Sequence, residues 1–202
     1  MRVQFLAAGD LVQLQTISLP DDRVFEDVEA RIANLSRDVD DNGRPIDHIA
    51  VVEASRSAGA ALSVYGIVAG RIEKIASTPH VGRPFRWRAV AGIADFDGDG
   101  QSDIAEVVTP HLAGILRFWT LRDGELVEIA EPLPGFSNHR IGEGFITSDV
   151  RICDGIAELF LPDLAWQRLV AVRLEDGGKN DLKRIVAHKT KMSPQDAAPD
   201  CP

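Results

Sequence analysis

A nine-residue acidic segment near the middle of the chain constrains the fold more than any other feature. It reads Asp95-Phe96-Asp97-Gly98-Asp99-Gly100-Gln101-Ser102-Asp103, with aspartates at its first, third, fifth and ninth positions. Carboxylates this close together repel one another unless a cation lies among them, and Ca²⁺ takes about six to eight oxygen ligands. The segment therefore predicts a calcium site rather than a solvated acidic turn. Its ligands would be Asp95, Asp97, Asp99, Asp103 and the backbone carbonyl near Gln101.

The same residues fit two different structures. If Asp95 is position 1 of the loop, Glu106 is position 12, so the stretch satisfies the EF-hand loop pattern. An EF-hand needs a helix on either side of the loop. The residues after the loop are rich in β-branched side chains and end at Pro110, which disfavours a helix. We therefore expect the loop to join two β-strands and Glu106 to be a strand residue.

Composition narrows the classes of function. The chain has 202 residues and a net charge of −9, so it can form one domain with a substantial core and does not suit a nucleic-acid backbone or an anionic membrane. No apolar run reaches the roughly 18 residues of a transmembrane helix, and the first residues do not form a signal peptide. Cys153 and Cys201 could pair or remain free, and their spacing does not indicate zinc.

Internal repeats are the second strong feature. An Ile-Ala pair recurs at Ile49, Ile104 and Ile156, with spacings of 55 and 52 residues. An aspartate recurs at an acidic loop, and a glycine recurs before a short alternating strand. These further anchors are Asp38, Asp95 and Asp149, and Gly9, Gly70 and Gly124. The common period is about 55 residues.

Each unit contains four short β-branched or aromatic segments separated by Gly, Pro and Asp turns, which predicts four strands. The strands expected first in the units are Glu29–Ser36, Arg88–Ala94 and Glu143–Ser148. Two further strands precede the first unit. Four-stranded units at this spacing are typical of β-propeller blades. The predicted fold is an all-β propeller with a half blade at 1–20, blades at 21–78 and 79–133, a degenerate blade at 134–190 and a disordered tail at 191–202.

The acidic loop differs between the three units. The first unit carries Asp38, Asp40 and Asn42 at positions 1, 3 and 5, followed by Gly43, with Asp47 as the closing aspartate one residue late. We expect a second calcium site there, with the Arg44 backbone carbonyl as a further ligand. In the third unit, Arg151 stands where a carboxylate should be, so we expect a built-in cation instead of a metal.

These loops resemble the FG-GAP/VCBS repeat, which also occurs in the propeller of integrin α-subunits. The second unit matches fully over Ala94–Ala105, the first is close and the third is degenerate. The resemblance implies that Ca²⁺ lies in the hairpin loop between the first two strands of a blade. It also implies a periplasmic or extracellular protein, although this chain carries no signal peptide.

About three and a half blades fall short of the roughly four that a closed propeller needs. A missing upstream segment, an open arc or a homodimer that completes the ring are the alternatives, and we favour the upstream segment. The three tryptophans, Trp87, Trp119 and Trp166, are expected to pack between blades.

Catalytic patterns are weak. The five histidines are scattered, His48 is expected at the surface, and no HxH, HExxH or Gly-x-Ser-x-Gly motif is present. The leading hypothesis is a non-enzymatic binding module that contacts a protein or a glycan. The alternative is an exported propeller enzyme, or an accessory domain, that acts on polysaccharide.

Overall fold

The computed structural model describes residues 2–7, 11–194 and 196. The chain forms only β-strands in these parts, so the all-β prediction is confirmed, and an EF-hand is excluded because the loop at 95–103 is flanked by strands. No helix in the described residues is long and apolar enough to cross a membrane.

The strands form an N-terminal hairpin and three larger antiparallel sheets, none of which closes on itself. The hairpin pairs β1 (Arg2–Ala7) with β2 (Leu11–Thr16). The first sheet contains β3 (Arg23–Phe25), β4 (Arg31–Ala33), β5 (His48–Ser55), β6 (Gly59–Val68) and β7 (Arg71–Ser77). The second contains β8 (Arg88–Ala94), β9 (Asp103–Val108), β10 (Ile115–Arg122), β11 (Glu125–Glu128) and β12 (Leu133–Pro134). The third contains β13 (Asp149–Cys153), β14 (Ile156–Pro162), β15 (Leu169–Glu175) and β16 (Arg184–Lys189).

Two-residue turns fix the register of three hairpins. Ala69-Gly70, Asp123-Gly124 and Asp154-Gly155 each place both central residues at positive φ, between 48° and 78°. That backbone matches the right-handed twist of the flanking strands and favours glycine at the second position. The glycines that the sequence repeat singled out at positions 70 and 124 therefore have a clear structural role.

Two apolar layers hold the three sheets together. The layer between the first and second sheets contains Val52 and Leu62 from one side and Ile104 and Trp119 from the other. The layer between the second and third sheets is centred on Phe118 and extends to other buried aliphatic side chains. Of the tryptophans, Trp119 packs between sheets as predicted, and Trp87 is partly buried against the same layer. Trp166 lies instead beneath the Arg140 guanidinium, 4.1 Å from its ring centroid.

The second and third sheets approach closely at Gly92. A Cβ atom there would lie 2.4 Å from Cγ2 of Val150, which is far inside van der Waals contact. The absence of a side chain on β8 therefore lets the first strand of the second sheet pack directly against β13 of the third.

The Ile-Ala pair of the third unit is out of register with the other two. Ala105 faces the layer between the second and third sheets, and Ile104 faces the layer before it. Ala157 faces the layer between the second and third sheets, which is the face of its sheet turned towards the preceding sheet. In the second sheet, the residue turned towards the preceding sheet is Ile104, so Ala157 corresponds in position to Ile104 and not to Ala105. A shift of one residue exchanges the two faces of a strand. The 52-residue spacing of this pair is therefore not a structural repeat.

The third unit also begins later than predicted. Its first strand is β13 at Asp149–Cys153, not Glu143–Ser148, and the predicted acidic loop after Asp149 is therefore mostly strand. The physical reason is the Asp154-Gly155 turn, which joins β13 directly to β14 and leaves no room for a longer loop.

The predicted strand Glu29–Ser36 is replaced by two short strands, β3 and β4, which both pair with β5. Asp27 lies in the gap between them. Its Oδ2 accepts a hydrogen bond from the Val52 amide at 2.9 Å, while Val52 O accepts one from the Glu26 amide at 3.0 Å. A buried carboxylate thus takes the place of a backbone acceptor where the edge strand is interrupted.

The predicted disordered tail lies mainly outside the described residues, as does Cys201. Within the described part, Met192 packs against Phe160 and Leu169. Cys153 ends β13 and is not a free thiol.

Candidate metal centre

The loop between β8 and β9 is organised around the Asp95 carboxylate. Oδ1 accepts hydrogen bonds from the amides of Gly98 and Asp99 at 2.8 and 3.1 Å, and Oδ2 accepts one from Gly100 at 2.9 Å. The two glycines have φ values of 79° and 87°, in a region that residues with a Cβ atom adopt only at a cost in conformational energy. The glycines therefore allow the chain to fold back over the first aspartate.

This turn brings three of the predicted ligands together. Asp95, Asp97 and Asp99 each place one carboxylate oxygen within 4.8 Å of the others. In the described part of the chain, this is the only such group of three or more His, Cys, Asp or Glu side chains. Burial and the neighbouring Asp99 charge raise the pKa of Asp97, as expected where like charges converge.

Asp103 lies beside the cluster and is completely buried. Its Oδ2 accepts a hydrogen bond from the Phe96 amide at 3.0 Å, whereas its buried Oδ1 has no hydrogen-bond partner. Burial, followed by the charge of Asp97, raises the pKa of Asp103 to about 7. An unpartnered, buried carboxylate oxygen next to three more carboxylates fits a hard cation, which would supply the missing partner.

The pKa of Asp103 leads to a test of the metal-free protein. A carboxyl group whose pKa is higher in the folded than in the unfolded state favours folding while it is protonated. The stabilisation from this proton is therefore complete below about pH 4 and is lost as pH rises through about 7. We expect Asp103→Asn, measured by urea unfolding in chelator, to remove most of this decline. An unchanged pH profile in the variant would contradict the assignment.

The Gln101 side chain points away from the cluster. Its Nε2 donates to Leu35 O at 3.1 Å, to Thr120 Oγ1 at 3.1 Å and to Leu121 O at 2.7 Å. Because the amide is fixed in these contacts, a ligand from this residue would have to be its backbone carbonyl, as the sequence predicted.

Two arginines lie next to Asp99. Arg37 Nη2 is 3.3 Å and Arg122 Nη2 is 3.5 Å from Asp99 Oδ2, and Arg37 also donates to the Asp99 carbonyl. All three side chains are partly or largely exposed, so each pair contributes little to stability. A bound cation would compete with these arginines for the Asp99 carboxylate.

The predicted second site, in the loop between β4 and β5, has a different arrangement. Asp40 Oδ1 accepts hydrogen bonds from the Asn42 and Arg44 amides at 2.8 Å each, and these bonds, the Arg44 amide first, lower the pKa of Asp40. The carboxylates of Asp38, Asp40 and Asp47 do not form a three-membered group like that at 95–99. The Arg44 carbonyl accepts a hydrogen bond from the Asp40 amide at 2.8 Å. Calcium binding at this loop stays a prediction.

Arg151 of the third loop, Glu106 and His48 are each held by a hydrogen bond or ion pair within the protein. Arg151 lies on β13 and pairs with Asp149 Oδ2 at 2.8 Å. Glu106 is a strand residue, as expected, and its Oε1 accepts hydrogen bonds from Arg88 and Trp119. His48 is buried rather than exposed. The Leu35 amide donates a hydrogen bond to its Nδ1, which compensates for the loss of water at that nitrogen.

A histidine pair at the other end of the second sheet was not predicted as a site. His111 Nε2 and His139 Nδ1 are 2.9 Å apart, and both rings contact Trp87. The sequence carried no signal for this contact, because the two histidines are separated by 28 residues and lie on different loops. A scan against protein-family models and a search of curated proteins found no match to this chain.

Proposed function

We propose that this protein is a calcium-binding β-propeller repeat protein, similar to the FG-GAP/VCBS type, that works as a non-enzymatic binding module. The observation that carries the proposal is the convergence of Asp95, Asp97 and Asp99 beside the unpartnered, buried oxygen of Asp103. When bound, Ca²⁺ would neutralise these charges and stabilise the β8–β9 loop. Hydrogen bonds from backbone amides to the Asp95 carboxylate already hold that loop in its turn.

The packing of the sheets supports a propeller arrangement. The second and third sheets each run in sequential strand order, and β8, the first strand of the second sheet, contacts both β5 and β13. β7 and β11, which end the main strand paths of the first and second sheets, also contact each other. The first strands of the second and third sheets thus lie together, as do β7 and β11, whereas the strand of the first sheet that contacts β8 is the inner strand β5. Contacts between corresponding strands are expected for adjacent blades. A second chain or further segments would be needed to complete a ring of about four or more blades.

Calcium titration by calorimetry tests the proposal directly. We expect the metal-depleted protein to bind Ca²⁺ at the 95–103 loop and, more weakly, at the 38–47 loop, where fewer carboxylates converge. Asp40→Asn should remove only the weaker site. Absence of a binding heat together with an unchanged melting temperature in Ca²⁺ would reject the proposal, because a ligand of the folded state must stabilise it.

The alternative, an exported enzyme or accessory domain acting on polysaccharide, is favoured by one observation. His139 Nε2 lies 2.8 Å from the Glu143 carbonyl, which can only accept, so His139 Nε2 donates and, in the neutral ring, its Nδ1 accepts from His111. These two hydrogen bonds fix the orientation of the His111 ring, as a general base requires. Depolymerisation of a polysaccharide by the wild-type protein, lost in His111→Ala, would favour this alternative over the binding module.

A further inference from the structure

A cavity of about 440 Å³ lies at the opposite end of β8 from the acidic loop. The acidic loop follows β8, whereas Trp87, which lines the cavity, immediately precedes that strand. The other lining residues come from the gap between β3 and β4, from the β7–β8 connection before Trp87, from the β9–β10 connection and from the segment before β13. All three sheets therefore contribute to one cavity.

Aromatic rings line one side of the cavity. Trp87 stacks on His111 with ring centroids 5.7 Å apart and meets His139 edge-on at 4.4 Å. The Trp87 indole N–H donates to the Glu26 carbonyl at 2.5 Å, which fixes the ring. Burial lowers the pKa of His111. This side of the cavity is thus rigid and aromatic.

Carboxylates line the other sides and are only partly matched by cations. Asp27 is paired with Arg31 at 3.3 Å, but Glu26 has no such partner in the described part of the chain. Glu143 lies 4.0 Å from Arg140 through Oε1, and its Oε2 is buried without a hydrogen-bond partner. Burial raises the pKa of Glu26, as expected for a carboxylate that lacks a compensating charge.

Apolar side chains form the rim of the cavity. Phe85 is 96% exposed and Ile141 is 84% exposed, both unusually high values for side chains of this type. Phe85 also has a φ of 55°, which is a costly conformation for a bulky residue and holds its ring outward. A ligand that entered here would bury both side chains.

We propose that this cavity binds an organic cation, that is, an ammonium or guanidinium group carried on an apolar stem. Glu26 and Glu143 supply the opposite charge, Trp87 an aromatic surface that attracts cations, and Phe85 and Ile141 a cover for the stem. No Lys or Arg is among the described residues that line the cavity, whereas three carboxylates are, so the lining favours a cation over an anion. A metal ion is a poorer occupant, because no third His, Cys, Asp or Glu ligand of the described chain joins the histidine pair.

The proposal goes beyond the calcium site and does not depend on it. The chain's net charge of −9 favours encounter with cations of either source, a free polyamine or a lysine or arginine side chain of a partner protein. Both sources present the same chemistry to Glu26 and Glu143, and the choice between them is made by experiment.

The test is an NMR titration that follows the indole N–H signal of Trp87, assigned with Trp87→Phe. The probes are spermidine, N-acetyl-arginine amide and N-acetyl-lysine amide, with the neutral N-acetyl-citrulline and N-acetyl-norleucine amides as matched controls. We expect saturable shifts with the cationic probes only. Glu26→Gln and Glu143→Gln should each weaken binding roughly fivefold or more, whereas Glu73→Gln, on the exposed side of β7, should leave it unchanged.

Each outcome bears on the proposal. Tighter binding of spermidine would identify a free polyamine as the source, and tighter binding of an amino-acid amide would identify a side chain of a protein. Equal binding of neutral and cationic probes, no saturable shift, or equal effects of the Glu26, Glu143 and Glu73 substitutions would overturn the proposal. Titrations in calcium and in chelator separate this result from the calcium proposal, because either site can fail while the other binds.

Discussion

Replacing Arg88 with methionine is expected to lower the free energy of unfolding by about 3–5 kcal/mol, because it leaves the Glu106 carboxylate buried without its cation. Arg88 and Glu106 are 7% and 0% exposed, and their closest nitrogen and oxygen atoms are 2.5 Å apart. The ion pair lies within the second sheet, where water cannot replace the lost arginine. Urea denaturation should detect the change in the free energy of unfolding. Thermal denaturation should show a fall in melting temperature of roughly 10 °C.

The matched control is the double variant Arg88→Met with Glu106→Gln. Glutamine keeps an oxygen that can accept the hydrogen bond of the Trp119 indole, which lies 2.7 Å from Glu106 Oε1, but it carries no charge. We expect the double variant to recover most of the loss, to within about 1–2 kcal/mol of wild type. If it is as unstable as the single variant, lost packing rather than an unpaired charge is the cause.

Removing calcium, or replacing Asp95 with asparagine, is expected to give the second large effect. At a calcium concentration about 100-fold above the dissociation constant, a ligand of the folded state stabilises it by about 2.7 kcal/mol. For a chain of this size, that corresponds to roughly 5–10 °C in melting temperature. Asp95→Asn should abolish the difference between calcium and chelator, because the first aspartate is both a proposed ligand and the acceptor for three loop amides.

A suitable control is Asp154→Asn. Asp154 lies in the β13–β14 turn at a φ of 53°, a conformation that asparagine also adopts readily. The substitution removes the same charge from another exposed hairpin, so the full calcium shift should remain. Loss of the shift in this variant would show that overall charge, rather than the 95–103 loop, controls the response to calcium.

Local sequence patterns predicted the second sheet and its loop well. The aspartates and glycines of the loop determine its turn through contacts among neighbouring residues, and the strands on either side alternate between two apolar layers. The hairpins at Gly70 and Gly124 were also predictable, because a two-residue turn with positive φ requires a small set of residues.

Other features depend on contacts between distant residues and left no local signal. The interruption of the first edge strand is stabilised by Asp27 bonding to Val52, 25 residues away. The one-residue shift of the third sheet depends on which face packs against the second sheet, and the Ile156-Ala157 pair reads the same in either register. The histidine pair likewise results from the meeting of two loops.

The side chain of Gln101 has a consequence for the dynamics of the loop. Its amide reaches Leu35, which packs with the first sheet, and two residues of β10 in the second. The hairpin tip cannot open by itself without breaking contacts that span both sheets. Hydrogen exchange of the Gln101 and Asp103 amides should therefore follow global unfolding rather than local fraying, unlike the exposed turns at Ala69 and Asp154.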